Sequence, residues 1–112
     1  MGLFIRINTI SNRISIHKNT LEALDNPKYI QLGFNIQNKH MVIVPAVTKG
    51  KDRVRLYFTR DGACFVYSKA MIDGMRLLSG VLEGKGSYLL EGAKSDKEPA
   101  VCFDMVNAVM SS

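Results

Sequence analysis

At residues 13–46 the chain reads RISIHKNTLEALDNPKYIQLGFNIQNKHMVIVPA. This stretch decides the fold, because it predicts a complete unit of strand, short helix, turn and β-hairpin. Ile14 and Ile16 alternate with polar or basic neighbours, as in a strand with one buried face. The first strand of the hairpin repeats that alternation before a turn at residues 37–39, and its apolar face is Ile30, Leu32, Phe34 and Ile36.

The helix of this unit is predicted from its ends. Asn19 is a suitable N-cap, and Glu22 stands three residues on, where its side chain can reach back to the amide of the cap. Leu21 and Leu24 then share one face of about two helical turns. The turn Asp25-Asn26-Pro27 ends the helix, since a residue before proline avoids the helical region.

A second stretch, residues 64–105, has the same order of elements. CFVY predicts a strand, Ser68 caps a longer helix that Gly80 ends, and SYLLEG with AVCFDM predicts a hairpin. We therefore predict an internal duplication of residues 13–46 and 64–105. Units of this kind interlock when neither can bury its hydrophobic face alone. The predicted fold class is α+β, mostly β, with two strand–helix–hairpin units interlocked in a compact, barrel-like domain.

Further strands are predicted around these units. Residues 3–10 alternate with Leu3, Ile5 and Ile7 on one face, and residues 52–58 (DRVRLYF) lead into an Arg-Asp-Gly hairpin turn at 60–62. The tail VNAVMSS is assigned to a frayed helical turn. The predicted core is Ile14, Ile16, Leu24, Ile30, Leu32, Phe34, Val54, Leu56, Phe58, Met71, Met75, Leu78 and Phe103.

Composition predicts one globular domain over residues 1–112. Hydrophobic residues make up 46% of the chain and charged residues 22%, which is typical of soluble globular proteins. No apolar run approaches the ~20 residues of a membrane span, and the N-terminus lacks the pattern of a signal peptide. We expect a cytoplasmic protein without a membrane partner. Cys64 and Cys102 are predicted to be buried, reduced thiols.

Charge is distributed unevenly. Residues 1–60 hold ten Lys and Arg against three acids, whereas residues 61–112 hold five against seven, within a net charge of +5. A basic half of this kind suits a polyanionic partner, or an acidic region of the same chain or of a second copy.

The strand predicted at residues 52–58 carries the densest basic cluster. Arg53, Arg55 and Tyr57 alternate with apolar residues, and Lys49, Lys51 and Arg60 flank them. Several cations and an aromatic ring on one rigid face suit phosphate and nucleotide binding. The alternative is a solvated outer face, on which Lys and Arg discourage pairing with other strands.

Residues 13–46 resemble the AbrB-like (SpoVT/MraZ-type) swapped-hairpin family of bacterial regulators. The resemblance lies in Arg13–Lys18 (RISIHK), Leu21–Leu24 (LEAL) and Met41–Ala46 (MVIVPA). Members of that family interlock two such units, from two chains or from a tandem repeat, into a barrel that binds DNA. The resemblance implies DNA contacts by Arg6, Arg13 and Lys18, and it leaves a homodimer as one arrangement.

The chain departs from the family pattern at three places. His17 replaces the proline before the helix, and Leu21 and Glu22 stand where DNA-binding members often carry arginines. Asn26-Pro27-Lys28 replaces a Gly-Asp before the hairpin. The resemblance therefore implies the fold more strongly than it implies the DNA contacts.

No catalytic set is apparent in the sequence, and we do not predict an enzyme. His17 and His40 lack a Ser, Cys or carboxylate partner at a recognisable spacing, and the two cysteines and two histidines show no metal-ligand spacing. The glycine-rich residues 80–87 lack the phosphate-loop pattern. Neither a metal nor a cofactor is predicted.

The predicted function is a small DNA-binding transcriptional regulator of bacterial or phage type. DNA would be held by a basic face that includes Arg6, Arg13, Lys18, Lys49, Lys51, Arg53, Arg55 and Arg60. The alternative is a phage-type inhibitor, such as a counter-defence factor, which binds an acidic host protein or captures an anionic small molecule such as a nucleotide.

Overall fold

The hydrophobic alternation and the capping residues produce nine strands and two helices within the part of the chain that the structure describes. A computed structural model describes residues 3–46, 57–58, 64–80, 82, 84–96 and 98–111, with the backbone alone for residues 57, 58 and 111. The elements are β1 (Leu3–Asn8), β2 (Arg13–Ile16), α1 (Lys18–Ala23), β3 (Tyr29–Asn35), β4 (His40–Ala46), β5 (Tyr57–Phe58), β6 (Cys64–Tyr67), α2 (Lys69–Ser79), β7 (Ser87–Lys94), β8 (Val101–Asp104) and β9 (Val109–Ser111).

The strands form one antiparallel sheet that curls into a half-barrel. Their order across the sheet is β3-β4-β8-β7-β1-β2-β6-β5, and β9 pairs with the first half of β7. The predicted hairpins β3–β4 and β7–β8 are both present and both belong to this sheet. With a radius of gyration of 12.9 Å, the molecule is as compact as a single domain of about 100 residues.

The concave face of the sheet and the two helices enclose one hydrophobic core. The predicted core residues Ile14, Ile16, Leu24, Ile30, Met75 and Phe103 are buried. Four more are partly buried and pack against that core: Leu32, Phe34, Met71 and Leu78. Val54, Leu56 and the Phe58 side chain lie outside the described residues, as do residues 52–56 of the predicted basic strand and the turn at 60–62.

The two helices begin in different ways. The predicted cap Asn19 is wrong for α1, because His17 caps this helix and its Nδ1 accepts a hydrogen bond from the Asn19 amide at 3.2 Å. The cap of α2 is the predicted Ser68, whose Oγ accepts a hydrogen bond from the Met71 amide at 3.2 Å. Gly80 ends α2 with a φ of +70°, a conformation that favours glycine.

Two further expectations are wrong. Ile36 is 68% exposed, because β3 ends at Asn35 and the Asn35 side chain accepts a hydrogen bond from the Asn38 amide within the hairpin turn. The tail is a strand, β9, because residues 109–111 find an open stretch of β7 to pair with.

Cys64 is a buried free thiol, and Cys102 is free and half-buried. No helix in the described ranges has the length and apolar character needed to cross a membrane.

Candidate nucleic-acid interface

Four outward-facing residues on neighbouring strands form a line across the convex face of the sheet. Leu89 of β7 is paired with Arg6 of β1, Arg6 with Ser15 of β2, and Ser15 with Phe65 of β6. Their chain neighbours point into the core, since Ile5, Ile7, Ile14, Ile16, Cys64, Val66, Tyr88 and Leu90 are all buried. We call Leu89, Arg6, Ser15 and Phe65 the outer row. At about 4.8 Å between strands, the outer row spans about 14 Å.

Arg13 lies beside the outer row, two residues along β2 from Ser15 and on the same face. Its guanidinium carbon is 5.5 Å from the centroid of the Phe65 ring, within the range of a cation–π contact. The Phe65 ring meets Tyr67 edge to face, with centroids 5.6 Å apart and an interplanar angle of 84°. The Nε of Arg13 is buried and finds no hydrogen-bond acceptor in the described part of the chain. Among the described residues, packing on an aromatic ring therefore holds this cation in place, and no acid pairs with it.

Arg6 and Arg13 share a cleft of about 410 Å³ on this face, which we call the arginine cleft. The one salt bridge among the described residues joins Arg76 to Asp73 at 3.7 Å, so neither cleft arginine is neutralised there. Among the described acidic residues, Glu91 is paired with Phe4, which lines the cleft. The cleft is lined by Phe4, Ile5, Arg6, Arg13, Ser15, Ile16, His17 and Leu89.

The β1–β2 hairpin that carries both arginines is held at its turn by side chains. The Asn8 carboxamide oxygen accepts hydrogen bonds from the amides of Ile10 and Ser11, at 2.9 and 3.1 Å. Thr9 is buried, and its hydroxyl accepts a hydrogen bond from the Gly86 amide at 3.0 Å. The Thr9 amide also donates to the Gly86 carbonyl at 2.9 Å. These bonds fix the hairpin against residues 84–86, so a ligand meets both arginines on a preorganised strand pair.

The structure brings together two of the predicted site residues. Arg6 is exposed and Arg13 is half-buried, and both line the arginine cleft. Lys18 is exposed at the first residue of α1, next to His17 of the cleft, but does not line it. The predicted residues Lys49, Lys51, Arg53, Arg55 and Arg60 lie outside the described residues.

Sequence reasoning missed the aromatic component of this face. Phe4 is 38% exposed and Tyr67 is 53% exposed, on the same face as Arg6 and Phe65. The signal is present in the sequence, because Phe65 and Tyr67 alternate with the inward Cys64 and Val66.

A second cleft, of about 360 Å³, lies on β4, β7 and β8. It is lined by His40, Glu91, Gly92, Ala93, Cys102, Asp104 and Asn107. His40 of β4 is paired with Asp104 of β8, and Val42 with Cys102, so the register brings His40 close to a carboxylate and a thiol that lie far from it in the sequence. These are the residue types of a cysteine nucleophile with its base.

The electrostatics of this second cleft do not activate the thiol. Burial first, and then the negative charge of Glu98, raises the pKa of Cys102, so the neutral thiol is favoured over the nucleophilic thiolate. Burial also acts to raise the pKa of Asp104, but hydrogen bonds from Asn107 and from the Val106 amide, together with the nearby His40, lower it overall. Asp104 therefore stabilises the turn after β8, and we place the candidate site at the arginine cleft.

Comparison of the chain with protein-family models, with curated proteins and with solved structures gave no match. The resemblance of residues 13–46 to the AbrB-like family stays a prediction from the sequence. Any inference about function therefore rests on the geometry of the arginine cleft.

Proposed function

We propose that this chain is a small DNA-binding regulator of bacterial or phage type, which holds nucleic acid on the arginine cleft. One observation carries the proposal: Arg6 and Arg13 lie in one cleft on a rigid strand pair, without an acidic partner among the described residues. Arginine pairs a phosphate through two parallel hydrogen bonds, and an arginine that packs on an aromatic ring is already partly ordered. The net charge of +5 favours encounter with a polyanion.

The binding energy in this proposal comes mainly from phosphates. Each phosphate that a cation neutralises releases condensed counterions, so affinity falls as salt concentration rises. Contacts of this kind position the protein and carry little sequence information, and any discrimination among sequences would come from a few arginines. Lys18 extends the positive charge beyond the cleft toward the start of α1.

We also propose that residues 13–46 and 64–105 are the two interlocked copies of one unit. The support is the symmetry of the pairings: β2 pairs with β6 and β4 pairs with β8, so the corresponding strands of the two units are neighbours. Each unit also keeps its own hairpin, β3–β4 in the first and β7–β8 in the second. Interlocked tandem units are the arrangement that the AbrB-like resemblance implies.

The DNA-binding proposal is tested by fluorescence anisotropy with a labelled oligonucleotide over a series of salt concentrations. Arg6→Ala and Arg13→Ala should each weaken binding and reduce the slope of log affinity against log salt by about 0.7 to 0.9. Lys28→Ala is the matched control, because Lys28 is also exposed and cationic but precedes β3 at the far edge of the sheet. Its slope should equal that of the wild type.

Thermal melting of each variant separates loss of binding from loss of fold. If the wild-type protein has no affinity for nucleic acid at low salt, the regulator proposal fails. If Lys28→Ala reduces the slope as much as Arg6→Ala does, binding is diffuse and the arginine cleft is not the site. If the protein does not bind nucleic acid at all, an acidic protein or a nucleotide becomes the ligand to test against the same variants.

A further inference from the structure

We infer that the arginine cleft and the outer row bind unpaired nucleotides, with bases stacked on exposed aromatic rings while Arg6 and Arg13 contact phosphates. This inference rests on the proposed function and makes it more specific, because it names single-stranded nucleic acid as the preferred form. The inference follows from the exposed aromatic side chains near the arginines, because rings of this kind have no role in binding phosphates alone.

Among the described side chains, three aromatic rings lie around the two arginines on the convex face. Tyr67 is 53% exposed and Phe4 is 38% exposed, while Phe65 is half-buried beneath the guanidinium of Arg13. Exposed rings on a sheet face present a flat apolar surface to solvent. Bases in a duplex already stack on one another, whereas unpaired bases are free to stack on such rings.

Each of the two arginines has an aromatic ring near it in the sheet register. Arg6 is separated from Phe65 by Ser15 alone, and Arg13 is paired with Tyr67 on the neighbouring strand. Glu91 is paired with Phe4, on the side of the outer row away from Arg13 and Tyr67, and would repel phosphates. We therefore place the sugar–phosphate backbone over the two arginines, on the side of Tyr67.

The experiment compares three labelled oligonucleotides of about 12 nucleotides, within the usual range of single-strand site sizes. They are a base-bearing single strand, a single strand of the same length with abasic sites, and a duplex. The abasic strand keeps the phosphates and removes the stacking surface. The 112-residue chain should bind the base-bearing strand about 5-fold or more tightly than the abasic strand, since one stacked base contributes at least that factor.

Two aromatic variants and one control test whether the bases stack on these particular rings. Tyr67→Ala and Phe4→Ala should each weaken binding of the base-bearing strand by about 5-fold or more, while their affinities for the duplex and the abasic strand stay near the wild-type values. Leu77→Ala is the control, because Leu77 is 86% exposed on α2 and truncating it removes a large apolar side chain outside the cleft. It should leave all three affinities unchanged.

The outcomes separate this inference from the proposed function. Equal affinity for the base-bearing and abasic strands, or unchanged binding by both aromatic variants, would overturn the stacking inference while salt-dependent DNA binding still supports the regulator proposal. Absence of binding to all three oligonucleotides would overturn both.

Discussion

The guanidinium of Arg13 lies 5.5 Å from the centroid of the Phe65 ring, across the strand pair β2–β6. This contact joins β2 to β6, and it also sets the position of a cation in the arginine cleft. A cation–π contact at a partly exposed site contributes about 0.5–1 kcal/mol. It therefore links the stability of the sheet to the geometry of the candidate site.

A double-mutant cycle measures this contact. Arg13→Met and Phe65→Leu should show a coupling of about 0.5–1 kcal/mol in the free energy of unfolding, determined by urea denaturation. Arg6→Met with Phe65→Leu is the control pair, because Ser15 lies between these two residues in the register. A coupling for Arg13 and Phe65 no larger than that of the control pair would refute the contact.

Gly92 of β7 is required by the packing of Phe103. A Cβ atom at Gly92 would lie 2.5 Å from Cδ1 of Phe103 and 2.7 Å from the Cys102 carbonyl oxygen. Gly92→Ala should destabilise the protein by about 1–3 kcal/mol, because the buried ring and the backbone of β8 must shift. Gly33→Ala is the matched control within β3, since nothing lies within 4 Å of its added Cβ. Urea denaturation of both variants measures the difference, and equal stabilities would show that Phe103 does not pack against Gly92.

The buried thiol of Cys64 predicts a loss of stability at alkaline pH. Burial raises the pKa of Cys64 from 9.0 to about 11. Between these values the unfolded chain releases the thiol proton while the folded chain keeps it. The unfolded state then binds fewer protons, and the free energy of unfolding falls as pH rises through this window. Cys64→Ala should lack this component and lose less stability over that range, while the difference between the two proteins stays constant below pH 9.

Urea denaturation of both proteins at a series of pH values supplies the measurement. Because lysines and tyrosines titrate in both proteins, only the difference between wild type and Cys64→Ala is informative. A difference that does not change with pH would mean that the Cys64 thiol is accessible to water in the folded protein.

Local patterns were sufficient to predict most of the secondary structure. Three features that depend on interactions within a few residues are present in the structure. They are the alternation of buried Ile14 and Ile16 with their more exposed neighbours, the Ser68 cap and the left-handed conformation of Gly80. The misassignments have local physical causes as well. The cap of α1 is the ring nitrogen of His17 and not the Asn19 side chain. Ile36 is exposed to solvent because it lies in the turn that follows Asn35.

Features that depend on long-range register could not be predicted in the same way. Arg13 and Phe65 are far apart in the sequence, and only the β2–β6 pairing places one over the other. The proximity of His40 to Asp104 likewise depends on the β4–β8 register. The mostly β fold was predicted from the sequence, and Arg6 and Arg13 were predicted from it as DNA contacts. The rings of Phe65 and Tyr67 were not predicted beside Arg13, because the sequence does not show that β6 pairs with β2.

Binding of nucleic acid to the outer row and Arg13 can be tested by NMR, by titrating the isotope-labelled protein with the single-stranded oligonucleotide and following the backbone amide signals. We expect the signals of Arg6, Ser15 and Phe65 to shift in a saturable way, while those of Gly33 and Val44, on strands at the far side of the sheet, stay in place. Shifts confined to the cleft around His40 and Cys102, or no shift at any residue, would show that nucleic acid does not bind on the outer row.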